Sequence, residues 1–96
     1  MIMWFDRNGK RISESTWLKG LRENRVALTE LPNVGQVSTI WLGLEHGNDE
    51  RGKPLIFETR VTYSDGSADQ RRYATEDEAR AGHAEEVARL EATAAS

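Results

Sequence analysis

Hydrophobic positions along this chain change their period several times, and the changes outline its elements. Between residues 37 and 46, Ile40, Leu42 and Leu44 alternate with more polar neighbours, and between 55 and 63 so do Leu55, Phe57, Thr59, Val61 and Tyr63. A period of two belongs to strands with one buried face. Residues 25–31, closed by Pro32, and residues 67–74, entered through Asp65-Gly66, read as two further strands. Near the start, the apolar run 2–5 precedes Asn8-Gly9, a two-residue hairpin signal, so residues 10–12 are expected to return as a small ribbon.

Helical spacing occurs twice. Ser13 fits an N-cap with Ile12 and Trp17 at the staple positions, and Trp17, Leu18 and Leu21 place a stripe on a helix ending near Asn24. Thr75-Glu76-Asp77-Glu78 matches a capping box, with three acids at the positive end of the helix dipole. Ala79, His83, Val87 and Leu90 continue one face of that helix to about Ala92, and residues 93–96 are expected to fray. Residues 1–96 are therefore expected to form a single α+β domain. It would be a mainly antiparallel sheet of four to five strands, with one short helix and a C-terminal helix over one face. Two separate hairpins are the alternative.

Overlaying the apolar sets of the two central strands places Ile40 beside Val61, Leu42 beside Thr59 and Leu44 beside Phe57, since a one-residue slip would flip every side chain. A two-residue loop at Asp65-Gly66 then sets Arg60 opposite Arg71 and Glu58 opposite Tyr73. On this register the second face gathers Trp41, Glu58, Arg60, Arg71 and Tyr73. Two arginines directly across a ladder repel unless an anion separates them. The face therefore reads either as a ligand surface, with aromatic stacking and guanidinium forks, or as a solvated or self-associating surface with Trp41 covering Arg60.

Composition narrows the classes. With 38% apolar and 30% charged residues the chain is globular. A domain this small buries only about 60–65% of its unfolded surface, so a homo-oligomer that covers more is expected. The net charge of −3 argues against a nucleic-acid polymer as partner. Cysteine is absent, and no leader or membrane-spanning run is evident, which together suggest a cytoplasmic protein without thiol chemistry.

His46 and His83 are far apart, and Glu45-His46 with Asp49 and Glu50 lacks the ordered spacing of a calcium loop, so no metal is expected. The glycine- and lysine-bearing segment 47–53 is not a phosphate-binding loop, because Pro54 excludes the helix such a loop needs. No nucleophile–base order is evident, so neither an enzymatic activity nor a cofactor is expected.

The runs "WFDRNGKRIS", "VSTIWLGLEHG", "PLIFETRV" and "RRYATEDEARAGH" resemble a group of short phage and prophage proteins. The resemblance implies a small accessory protein made in an infected or lysogenic bacterium. In size and α+β build the chain is also similar to the anti-Thoeris and anti-CBASS sponges, oligomers that sequester cyclic-nucleotide or cyclic ADP-ribose signals. On that analogy it would be a non-enzymatic binding protein for a cyclic nucleotide or ADP-ribose-type molecule. Trp41 and Tyr73 would stack on a base and Arg60 and Arg71 would hold phosphates, while on the register argument Glu58 or a bound ligand is the anion between the two arginines. The alternative is an inhibitor or adaptor that docks on a host protein through the acidic helix 76–91 or a sheet face. A structural or regulatory phage role is a third reading.

Overall fold

The computed structural model describes residues 2–95 and is α+β. Strands β1 (Trp4–Phe5) and β2 (Arg11–Ile12) form a two-stranded ribbon. Helix α1 (Glu14–Gly20) follows and tightens into a 3-10 turn over Leu21–Glu23. Strands β3 (Arg25–Leu31), β4 (Gly35–Trp41), β5 (Phe57–Tyr63) and β6 (Ala68–Tyr73) make an antiparallel meander in chain order. Helix α2 (Glu76–Ala95) lies across one face of that meander and contacts all four strands. It runs past Thr93, where fraying was expected, and Ser96 lies outside the described residues.

Both expected caps form. Ser13 Oγ accepts the Thr16 N–H at 3.2 Å. At α2 the box is reciprocal: Glu78 N–H donates to Thr75 Oγ1 and Thr75 N–H to Glu78 Oε1, each at 3.2 Å. Orphan donors of the first turn are thereby satisfied by side chains, which fixes where each helix starts.

The turn between β5 and β6 has three residues, not the two expected. Tyr63 N–H donates to Ser67 O at 2.8 Å and Gly66 N–H to Tyr63 O at 2.9 Å, with Gly66 at φ +91°. This is a type I turn followed by a left-handed residue, which glycine occupies without steric penalty. Asp65 Oδ1 accepts from Ser67 N–H and Oγ, at 2.8 and 2.6 Å, and so favours the longer loop. The same loop length recurs at Asp6–Lys10 and Asp49–Lys53, where each aspartate carboxylate caps the N–H groups two and four residues ahead. Between β3 and β4, Pro32 and Asn33 (φ 67°) form a type II turn closed by Val34 N–H on Leu31 O.

Register departs from the expectation at both junctions. Val61 pairs with Val37, Thr59 with Thr39 and Phe57 with Trp41, so Ile40 stands opposite Glu58 and Ser38 opposite Arg60. Across the next ladder, Phe57 pairs with Tyr73, Thr59 with Arg71, Glu58 with Arg72 and Arg60 with Gln70. The helix-covered face thus holds Val37, Thr39 and Trp41, then Phe57, Thr59 and Val61, then Arg71 and Tyr73. The alternation of Ile40, Leu42 and Leu44 is not the core seam. Gly43, at φ +69°, lies just past the end of β4 at Trp41, and Leu42 and Leu44 serve helix α1 and the N-terminal ribbon instead. Leu42 O accepts the Trp17 indole N–H at 2.8 Å, and Leu44 bridges to Trp4.

The core has two apolar clusters. One contains Phe5, Trp41, Ile56, Phe57 and Ala79, flanked by Ile12, Trp17 and Tyr73. The other contains Val37, Val61 and Leu90, flanked by Leu31, Tyr63 and Val87. Burying a side chain such as Phe57 or Ile56, both fully covered, contributes about 1.5–3 kcal/mol.

Helix α2 approaches the sheet closely where Gly82 passes over Tyr73, and a Cβ there would collide with the Tyr73 hydroxyl and ring. Gly82→Ala is expected to destabilise the fold by about 1–3 kcal/mol through overpacking, despite the roughly 1 kcal/mol that alanine gains in an ordinary helix. Urea unfolding of Gly82→Ala alone and combined with Tyr73→Leu checks this. The smaller partner should recover part of the loss, and equal stability of Gly82→Ala and wild type would refute the contact.

Candidate functional site

The five residues expected on one face divide between two. Trp41, Arg71 and Tyr73 belong to the helix-covered side of the sheet, whereas Glu58 and Arg60 belong to the other. Neither aromatic is available as a stacking platform. Trp41 is 4% exposed, with its six-membered ring held between Gly20 and Gly43, where added Cβ atoms would come within 2.9 and 2.6 Å of it. Tyr73 sits beneath α2, and burial pushes its phenol above the usual value, with the nearby Thr59 offsetting part of that. Its buried hydroxyl makes no hydrogen bond of full geometry. These two residues are packing elements of the core.

Arg71 leaves the sheet edge to reach α2, donating to Glu85 at 3.1 Å and Glu86 at 3.4 Å, with its guanidinium 5.4 Å from the Tyr73 ring centroid. Glu86 also accepts from Arg89 at 2.7 Å, and Arg89 in turn donates to the Tyr63 hydroxyl at 2.7 Å. Tyr63 completes the strap by donating to Asp69 at 2.7 Å. Arg71 therefore fastens β6 to α2 and does not stand opposite Arg60.

Between the two apolar clusters lies a buried polar junction centred on His83, which helical spacing alone places on the inward stripe of α2. His83 is 7% exposed. Its Nδ1 is 2.8 Å from Thr39 Oγ1 and its Nε2 is 2.9 Å from Thr29 Oγ1. Thr39 is bonded across the ladder to Thr59 at 2.6 Å. Every polar atom of the imidazole is satisfied by neutral hydroxyls, which suits a neutral ring. Burial holds the His83 pKa below its ordinary value.

The uncovered face of the sheet is one functional candidate. Its rows run Glu30, Gln36, Thr62, Ala68; then Leu28, Ser38, Arg60, Gln70; then Arg25, Ile40, Glu58, Arg72. Glu58 accepts from Arg72 at 3.3 Å. Arg60 is exposed and makes no ion pair among the described residues. Among the described residues no helix is long and apolar enough to cross a membrane, and no three acidic or histidine side chains are placed to hold a metal ion.

A second candidate is an open cleft of about 540 Å³ at the turn end of the sheet, lined by Asn33, Tyr63, Ser67, Arg89 and Leu90 among others. The Arg89 guanidinium lies 5.7 Å from the Tyr63 ring centroid there. Neither Tyr63 nor Arg89 was singled out from the sequence. Their conjunction depends on the three-residue turn and on the length of α2, which together bring position 89 over position 63.

The His83 junction has a pH signature. Its folded pKa is depressed, so below the unfolded value of 6.5 the unfolded chain binds the proton more readily and stability falls with pH. Stability from this residue is complete above that value and is lost through the interval beneath it, before most carboxylates titrate. Urea midpoints at about pH 7.5 and about pH 5.5 should differ in that direction. His83→Gln, though less stable throughout, should flatten the difference; an unchanged slope would refute the assignment. No family model, no curated protein and no solved structure matches this chain.

Proposed function

We propose that this protein acts by binding, with the uncovered face of its four-stranded sheet as the contact surface and an acidic patch on a host protein as its partner. The observation that carries this reading is Arg60. It stands unpaired among the small polar neighbours Ser38 and Gln70, beside the Glu58–Arg72 pair. Arg25 belongs to the same face and also makes no ion pair among the described residues. A flat surface edged by Leu28 and Ile40, with free guanidinium groups, suits a protein surface more than a small molecule, since arginine anchors recur at such contacts. In the phage setting that the sequence resemblance implies, the partner would belong to the host, and blocking it would be the protein's task.

Sequestration of a nucleotide-derived signal is the second reading, and it moves to new residues. Its support is the cleft beside Tyr63 and Arg89, whose volume of about 540 Å³ is within the range of ligand sites. Tyr63 would stack and Arg89 would take a phosphate, exchanging its bond to Glu86 for one to the ligand.

The two readings separate experimentally. Tagged wild-type protein and the Arg60→Glu variant are compared for capture of a single stoichiometric host protein. The open-face reading expects at least a roughly ten-fold loss of affinity, with stability changed by less than about 0.5 kcal/mol. Equal capture by both would sink it. Calorimetry against cyclic nucleotides and ADP-ribose isomers tests the cleft, where Arg89→Ala should abolish any heat that Arg60→Glu leaves intact.

A further inference from the structure

We propose that two copies of this chain join β3 to β3 about a two-fold axis at Leu28, making one continuous antiparallel sheet with four strands from each copy. The two edges of the meander are unlike. Strand β6 carries Asp69, Arg71 and Arg72, and such charges guard an edge against pairing. Strand β3 carries Val26-Ala27-Leu28-Thr29 in its middle, without a charge, and Leu28 is 37% exposed.

Backbone groups on that edge are open. Trp41 N–H donates to Asn24 O, so odd-numbered β4 residues turn toward β3 and pair with Ala27, Thr29 and Leu31. Leu28 and Glu30 therefore point their N–H and C=O groups outward, where no hydrogen bond reaches them among the described residues. The edge ends where the Arg7 guanidinium donates to Glu23 O at 2.7 Å and Arg25 O at 3.0 Å, which limits pairing to the stretch beyond.

Side chains along this edge complement a second copy. The bulge between Arg25 and Ala27 returns Arg25 to the face shared by Leu28 and Glu30. With Leu28 opposite its own copy, Ala27 meets Thr29 and Glu30 comes opposite the bulge that presents Arg25. Two Arg25–Glu30 pairs then flank a central leucine contact, and neither side chain has an ion-pair partner within its own chain among the described residues. On the other face α2 lies over β3, β4 and β5. At about 4.8 Å per strand, two such helices centred on β4 stand about 14 Å apart, wider than a helix diameter. The contact takes Arg25 and Leu28 from the open face but leaves Arg60, which carries the open-face reading, uncovered, so the Arg60→Glu comparison and the β3 charge series can fail separately.

Sedimentation velocity of the full chain across a concentration series tests it. Wild type should show a monomer–dimer equilibrium. Leu28→Pro removes an N–H that faces outward, so it should give a folded monomer with the β3–β4 ladder intact. Arg25→Glu and Glu30→Arg should each weaken the dimer by about ten-fold, and the double exchange should restore it. If Leu28→Pro loses its folded circular dichroism, the charge series decides alone. A wild type that stays monomeric at its solubility limit overturns the proposal. So does a dimer unaffected by all of these changes, or one that the double exchange weakens as much as the two single changes together.

Discussion

A single helix must cover one face of a four-stranded sheet, and the buried contact of His83 with Thr29 and Thr39 determines where it sits. Apolar packing is tolerant of sliding, but an imidazole held at both nitrogens allows little displacement along or across the strands. From that junction the rest follows. One helical turn before it, Ala79 enters the Trp41–Phe57 cluster; beyond it, Val87 and Leu90 enter the Val37–Val61 cluster. Gly82, beside His83, is left directly over Tyr73 and has no room for a side chain. The junction is a stability expense in one respect, since three threonine hydroxyls and an imidazole occupy space that aliphatic groups could fill.

The two sides of the sheet consequently have different duties. On the covered side even the charged residues serve attachment: Arg71 and Arg89 share Glu86, and Tyr63 links that strap to Asp69. On the uncovered side the only ion pair among the described residues is Glu58 with Arg72, which leaves Arg60 free. A residue type thus says little about role until its face is known. Arg60 and Arg71 lie on neighbouring strands, yet Arg71 is part of the fastening and Arg60 is exposed without an ion pair among the described residues.

Much of the fold was legible. The helix starts at Ser13 and Thr75, the strand near residues 25–31 and the α+β class all follow from local signals that act within a few residues. Register was not legible, for two physical reasons. Thr39 looks like a solvent position because a buried hydroxyl needs a partner, and its partners, Thr59 and His83, lie 20 and 44 residues beyond it. Ile40, Leu42 and Leu44 look like a core seam, but Gly43 breaks the strand inside that run. The turn at Asp65-Gly66 was legible as a turn and misjudged in length. The two-residue reading of Asn8-Gly9 was short by one in the same way, since the turns at residues 6–10 and 49–53 also close three-residue loops.

That loop length reaches well beyond the turn. Side chains alternate along β6, so its parity relative to β5 is counted from Tyr63 through Ser64, Asp65 and Gly66. A loop one residue shorter would exchange the occupants of the two surfaces of that strand, sending Gln70 and Arg72 toward α2 and returning Arg71 and Tyr73 to solvent. The strap to Glu86 and the aromatic filler under Gly82 would vanish together, and Glu58 would lose its cation. In this small sheet, which surface holds the helix and which meets the outside world is set by the number of atoms in one exposed turn.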